Sequence, residues 1–469
     1  MIFPSFRNPP ARHSLLRGMA PIEHLVVLML ENRSFDCMLG WLYRDRPDFD
    51  GLRGDESNPW HRDDGSVEQI PVWNDGSPSP ESATIPDPDP GESFKDIAMQ
   101  VYGLHPDGTP RMNGFVDNYI RQKAMRRAPD PRAVMHCFVP EQLPVLSTLA
   151  RSFGVCDRWF ASAPCETWPN RQFAHTGQSG GHVNNSAIPR PFFLKTVFRQ
   201  LEQHGRSWKV YFHDMPQTAA LAELWPRIPT HFHFFDPEFL ADAACGKLPN
   251  YSFIEPRYYP GLLRGVAPND AHPPHNVAYA EQLLASLYNA VRAGPAWERT
   301  LLAIVFDEHG GCYDHVTPPK VAPAGRPARN GFAFDRLGPR VPAVIVSPYV
   351  PAGSVIRPPP EGPPFDHTSL IATLGALFDL GQPLSPRVAA APTLLTALSL
   401  ERPENPGPAS IDVDKCWPTR EETRPLHRHE LNNHQRRLLW PGSLLAALGA
   451  KAAAHTHRFR RRRHTPVCR

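Results

Sequence analysis

LVVLMLENRSFD, residues 25–36, joins two halves of opposite character. Leu25 to Leu30 is an unbroken apolar run of strand length, the pattern of a strand covered on both faces. Glu31, Asn32 and Arg33 follow at once, and three such groups cannot lie unpaired in a core. In parallel α/β sheets the carboxyl edge opens into a crevice where ligands bind. A buried strand that stops on polar side chains therefore points to a site at its end.

Other segments repeat the strand pattern. HLVVLML (24–30), TLLAIVF (300–306) and VPAVIVS (341–347) have the length and β-branched content of doubly buried strands, the kind found in parallel sheets. YAEQLLASLYNAVR (279–292) sets Leu283, Leu284, Leu287, Tyr288 and Val291 on one helical face. Strands alternating with helices predict an α/β fold with a mostly parallel central sheet.

The 469 residues suffice for one large domain or two ordinary ones, and 41% hydrophobic content excludes wholesale disorder. Pro is the outlier at 56 residues, so much of the chain must run in fixed turns and irregular loops. Residues 45–132 concentrate Pro, Asp, Gly and Arg, with PSPESATIPDPDPGE as the extreme, and read as a long loop-rich insertion or cap over a site. The formal charge of +3 rests on the last twelve residues, RFRRRRHTPVCR, which hold six Arg and no acid. Such a cluster suits anionic lipid or a solvated tail, and nucleic acid is not expected as a partner.

No run of eighteen apolar residues occurs, so no spanning helix is expected. MIFPSFRNPPARHSLLRGM lacks a twin-Arg pair and an apolar core, does not read as a secretory signal, and leaves Met19 as a candidate start. The eight Cys show neither metal-type nor disulfide-scaffold spacing and lean toward a reducing compartment.

The chemistry gathers at three places. Glu31 with Asn32 and Asp307 with Glu308 put adjacent oxygen donors at two strand ends, which suits a hard divalent cation; either pair could instead cap a helix or solvate a loop. In CETWPNRQFAHTGQSGG (165–181), Thr167 stands at a helix start, where a hydroxyl beside a metal can attack phosphorus and Arg171 one turn on can hold a phosphate oxygen. An N-cap Thr with Pro in the first turn is the alternative, and the two readings are compatible.

ENRSFDCMLGW, TWPNR, NDAHPPHNV, FDEHGGCYDHVTPP, RVPAVIVSPYV and FDHTSLIATL occur in one order over roughly residues 20–400. In this the sequence resembles the bacterial and plant phosphoesterase family of non-specific phospholipases C and a respiratory-burst-inhibiting acid phosphatase. The resemblance implies an alkaline-phosphatase-like three-layer α/β sandwich and one divalent metal ion held by Glu31, Asn32, Asp307 and Glu308. Ca, Mg or Mn suits such donors, with Zn as an alternative. Thr167 takes the nucleophile's place, the slot that Cys occupies in the similar sulfatase signature. Asn170 and Arg171 are expected to hold phosphate oxygens, and His272 to bind phosphate or protonate the leaving alkoxide. His213 is a further catalytic candidate and His233 a weaker one; His309, His315 and His367 lie inside motifs as braces or participants. Glu92 stands where many relatives carry a phosphate-contacting His, which puts the leaving-group preference in question.

The expected activity is phospholipase C-type hydrolysis through a phosphothreonine, giving diacylglycerol and a phosphorylated head group. A broad acid phosphatase is the alternative enzyme, and a non-catalytic anion- or membrane-binding relative the alternative from another class. A phospholipid or other phosphate ester is the expected substrate, with peripheral membrane contact possible. The sequence features point to the cytoplasm and the resemblance to secretion. The expected organisation is an N-terminal extension (1–19), a phosphoesterase domain (20–400) carrying the 45–132 insertion, and a C-terminal helical segment with an Arg-rich tail (401–469).

Overall fold

A computed structural model describes residues 22–76, 79–122, 130–185, 192–260 and 265–424, together with Asn432 and Gln435. The expected N-terminal extension, C-terminal helix and Arg-rich tail lie outside these residues.

The strands are β1 (His24–Leu30), β2 (Ser57–His61), β3 (Val67–Pro71), β4 (Gly154–Val155), β5 (Trp208–Phe212), β6 (Phe232–Phe234), β7 (Tyr251–Glu255), β8 (Thr300–Phe306), β9 (Ala343–Val346) and β10 (Ser354–Val355). Eight of them form one sheet in the order β10-β4-β9-β8-β1-β7-β5-β6. β8, β1, β7, β5 and β6 run parallel, and the wholly buried β1 lies between β8 and β7. The α/β expectation is met.

β9 departs from it. The segment read as a parallel strand runs antiparallel to β8 and β4. No α-helix lies between Phe306 and Ala343, so the connection lacks the helical crossover that usually joins parallel strands.

The helices are α1 (Phe35–Leu39), α2 (Phe94–Tyr102), α3 (Phe115–Ile120), α4 (Pro144–Ser152), α5 (Thr167–Thr176), α6 (Val197–Gln203), α7 (Ile228–His231), α8 (Leu240–Ala244), α9 (Val277–Ala293), α10 (Thr368–Phe378) and α11 (Pro386–Ala390). Seven of them pack in two groups, α4 with α8 and α9, and α5 with α6, α10 and α11, as a three-layer sandwich requires, while α2 packs with α3. α9 buries Leu283, Leu284, Leu287, Tyr288 and Val291, the stripe expected from its spacing.

The insertion is more ordered than its composition suggests. It holds the β2–β3 hairpin, α2 and α3, and buries its own apolar cluster, including Ile70, Val72, Ile97, Val101, Phe115, Val116 and Tyr119. α2 begins with a capping box in which the Ser93 hydroxyl receives the Asp96 N–H and the Asp96 carboxylate receives the Ser93 N–H. Buried Arg340 latches the insertion to the sheet: it donates to Asp36 at 2.8 Å, to Asp314 at 2.9 Å and to the Asp50 carbonyl at 2.6 Å. Six described cysteines are free, and Cys245 is disulfide-bonded.

Candidate active site

β1 and β8 pair in register to their ends, Leu30 against Phe306, so Glu31 and Asp307 leave the sheet side by side. The Asp307 N–H donates to the Leu30 carbonyl at 3.1 Å, and β7 on the other flank ends in Glu255. Three carboxylates thus stand at the carboxyl ends of three adjacent parallel strands.

Asn32 is the hub. Its backbone is left-handed, with φ 49°. This turns its N–H onto Asp307 Oδ1 at 3.0 Å, while Nδ2 donates to Glu92 and to Glu308 at 2.6 Å each. The Thr167 hydroxyl donates to Asn32 Oδ1 at 3.3 Å. Four residues from three distant parts of the chain therefore converge on Asn32.

Thr167 is the first residue of α5, and Glu166 precedes it as the cap residue. The expected N-cap role of Thr167 is corrected accordingly, and its hydroxyl turns to Asn32 instead of bonding its own helix. All ten residues of α5 are buried, which fixes the hydroxyl against the strand ends.

Burial raises the pKa of Glu31, against the attraction of Arg171. Asp307 is raised by burial against the same arginine, and Glu308 by burial together with its neighbours Glu92 and Asp307. Arg171 is the counterion of the group: it pairs with Glu31, with Asp307 at 3.4 Å and with Glu255 at 3.9 Å.

A family model described as the phosphoesterase family matches residues 22–381. The chain belongs to the phosphoesterase family. This phosphoesterase is 40% identical over 394 residues to non-specific phospholipase C1 of Arabidopsis thaliana, covering 80% of the chain and 70% of the relative. It is 38% identical to non-specific phospholipase C3 of the same plant, covering 84% and 76%. Phospholipase C A of Mycobacterium tuberculosis is 28% identical, with 78% and 74% covered.

The expected site residues of the phosphoesterase fall into two groups. Glu31, Asn32, Glu92, Thr167, Arg171, Asp307 and Glu308 are brought together. Asn170 is adjacent but otherwise engaged: Nδ2 donates to the Cys165 carbonyl at 2.7 Å and the Ala163 carbonyl at 3.2 Å, and Oδ1 receives the Ala163 N–H at 3.1 Å. These bonds fasten the turn that presents Thr167. Arg171 holds the carboxylates of Glu31 and Asp307.

His213 bonds the Glu255 carbonyl at 3.1 Å and stacks on Phe235 with ring centroids 4.7 Å apart. Burial, with help from Arg257, pushes its pKa down to about 3. His233 bonds Glu238 at 3.0 Å beside the edge strand β6. Three motif histidines brace. His309 bonds Gln100 at 2.7 Å, His315 bonds Asp36 at 2.7 Å, and His367 bonds the Asp307 carbonyl at 2.6 Å.

His272 is fully buried. Its Nε2 lies 3.6 Å from Glu92, and its Nδ1 lies 3.8 Å from Asp89 and 2.7 Å from the Pro273 carbonyl. Burial opposes its charge, but Asp89, Glu92 and Asp270 outweigh it and lift the pKa to about 10. Asp89, Glu92 and His272 each offer a ligand atom, all within 4.8 Å of one another.

Sequence reasoning missed Glu255 and Gln217, whose Nε2 donates to Glu31 at 2.8 Å. Gln217 opens a short 3-10 turn that carries no motif, and only the strand order brings Glu255 beside Glu31.

The donors fit a divalent cation. Glu31, Asn32, Asp307 and Glu308 offer hard oxygens, and three buried carboxylates against one arginine leave charge that a cation would balance.

Proposed function

We propose that this phosphoesterase is a phospholipase C-type hydrolase that cuts a phospholipid into diacylglycerol and a phosphorylated head group, with Thr167 as nucleophile. One observation carries the reading: the Thr167 hydroxyl is 3.3 Å from Asn32, the residue on which Asp307, Glu308 and Glu92 also converge.

Glu31, Asn32, Asp307 and Glu308 would hold one divalent cation. Such an ion supplies Lewis acidity and lowers the pKa of a neighbouring hydroxyl. α5 presents the Thr167 oxygen at its start, where the positive end of the helix dipole favours an anionic phosphate. The Thr167 hydroxyl gives its proton to water as its oxygen attacks phosphorus and forms the phosphothreonine ester; the bond to the glycerol oxygen breaks, and that oxygen takes a proton back from water and leaves as the alcohol. A second water then displaces Thr167 from phosphorus and releases the phosphorylated head group. Arg171 keeps Glu31 and Asp307 in place, and Asn170 keeps the turn before Thr167 in place. Each acts through another residue, so both are positioning residues.

Surface chemistry favours a lipid over a small phosphomonoester. Phe193 is 80% exposed and Trp225 41%, on segments joined by the Phe192–Leu221 bridge and close in sequence to Gln217, which reaches Glu31. Exposed aromatics suit an interface where one side is apolar.

The test is a panel of phosphatidylcholine, phosphatidylethanolamine, sphingomyelin and an aryl phosphate, run with wild type and Thr167→Ala. Phosphocholine release by wild type, falling at least about a thousandfold in Thr167→Ala, is expected. Phosphate release from the aryl ester alone would replace this reading with the phosphomonoesterase. Undiminished turnover by Thr167→Ala would remove Thr167 from the chemistry.

A further inference from the structure

We infer that the rim around the start of α5, carried by residues 179–185, 192–196 and 320–334, is a docking face for an anionic phospholipid bilayer. Phe193 is its inserted side chain, and Lys195, Arg326 and Arg329 are its cationic contacts. The inference rests on the proposed function in taking Thr167 as the nucleophile beside which the rim holds lipid.

The chain leaves α5 at Gly177 and is back at the start of that helix by Asn185. There Asn185 Oδ1 accepts the Trp168 N–H at 2.8 Å, and the Asn185 N–H donates to Glu166 Oε2 at 2.7 Å. Phe192 packs on Trp168, with ring centroids 6.4 Å apart, and on His182 at 5.2 Å. Residues 192–194 thus flank the residue that follows the nucleophile.

The 320–334 loop arrives at the same place. Val183 packs against the apolar cluster that contains Cys165, Ala328 and Phe332. Arg326 donates to the Gly180 carbonyl at 2.5 Å and lies across Gly181, where a β-carbon would come 3.0 Å from its Nε. Burial, then Arg326 and Arg329, hold the His182 pKa below its ordinary value, so both guanidiniums stand near that ring.

Phe193 turns away from Phe192, as successive residues of an extended segment do, and is 80% exposed against 3%. Lys195, Arg326 and Arg329 are exposed as well. An outward ring among cations is the pattern of a side that enters the boundary between head groups and acyl chains.

Charge selects the lipid. The three segments hold Lys195, Lys320, Arg326 and Arg329 and no Asp or Glu; Asp335 follows them with Arg336 beside it. Glu166 and Glu223, which bond to these segments, are engaged, Glu166 by Asn185 and Glu223 by the Thr196 N–H at 2.8 Å and Arg199 at 3.4 Å. A zwitterionic surface leaves the cations unanswered, whereas an anionic one returns about fivefold in affinity for each Lys or Arg brought close. A soluble polyanion would answer the cations and leave Phe193 without a use. Docking holds the head-group layer beside the start of α5, so a phosphodiester need leave the bilayer only a little way to meet Thr167.

The test is sedimentation of full-length Thr167→Ala protein, which spares the lipid, with vesicles of phosphatidylcholine alone and of phosphatidylcholine with phosphatidylserine. Binding to the mixed vesicles is expected to be at least about tenfold tighter and to weaken as salt is raised. Phe193→Ser and Arg329→Glu, introduced singly, should each weaken it about tenfold. In the otherwise wild-type chain both should leave turnover of a short-chain phosphatidylcholine below its micelle concentration unchanged. Circular dichroism checks the fold, and either variant alone suffices. Undiminished vesicle binding by the folded variants would put the contact elsewhere, on the Arg-rich tail for one, and overturn the inference. So would absence of binding to both kinds of vesicle, or binding to heparin alone, which would make the face a polyanion site. Rim-dependent binding without wild-type turnover of any phospholipid would sink the proposed substrate and leave the docking face standing; turnover of monomeric lipid without vesicle binding would do the reverse.

Discussion

Gly310 presses its α-carbon against the backbone of Asn32: a β-carbon there would lie 2.0 Å from the Asn32 carbonyl oxygen, and the glycine's φ is +61°. The DEHGG turn and the end of β1 can approach this closely only because position 310 has no side chain. Gly310→Ala should push Asn32 off the hub. We expect a stability loss of about 2–3 kcal/mol and a fall in hydrolysis of about tenfold or more, read by urea melts and phosphatidylcholine turnover. Unchanged turnover would show that the position of Asn32 is not critical.

Asn170 separates a positioning role from a phosphate-binding one. Asn170→Asp replaces donors to the Cys165 and Ala163 carbonyls with a carboxylate facing them. A stability loss of about 2–4 kcal/mol is expected. Among molecules that remain folded, kcat should fall while KM stays constant. A rise in KM at constant kcat would mean that the side chain touches substrate after all.

How much of this could be read in the sequence differs from residue to residue. Glu31 and Asp307 were legible because each ends an apolar run that has no other reason to stop. Their adjacency depends on β1 and β8 being neighbours in register, and no property of either strand alone states that. β9 looked like its parallel neighbours because burial on both faces shapes composition, whereas strand direction depends on the connection. TWPNR located the helix start, yet the aim of Asn170 is decided by a loop that folds back on it. Pro and Asp in the insertion hid α2 and α3, which are only nine and six residues long.

Removing divalent cations should destabilise the protein as well as silence it. Glu31, Asp307 and Glu308 would be left mutually repelling in a buried site with Arg171 as their near counterion. With free cation at about 100 times its dissociation constant, binding to one site contributes about 2.7 kcal/mol. Melting in chelator should therefore fall by several degrees and recover on adding Mn2+. An unchanged melting point with full activity in chelator would exclude a cation from both roles.

His315 supplies a pH signature distant from the nucleophile. Burial disfavours its charge, but Asp36 and Asp50 outweigh this against Arg340 and lift the pKa to about 10. With the folded value above the unfolded value of about 6.5, its contribution to stability is complete below about 6.5 and is lost as pH rises through about 10. Because the side chain is 24% exposed, we expect a contribution on the order of 3 kcal/mol. The advantage of wild type over His315→Gln in urea should be largest near pH 6 and mostly gone above the folded pKa. A pH-independent difference would mean that packing, not charge, explains the residue.

The insertion buries Ile97, Val101, Phe115 and Val116 in a cluster of its own while delivering Glu92 to Asn32. Such a cassette can diverge by repacking internally, without reopening the layers that keep the nucleophile in place. What meets the phosphate can therefore be retuned through a replaceable part, while the sheet scaffold preserves the bond-breaking step.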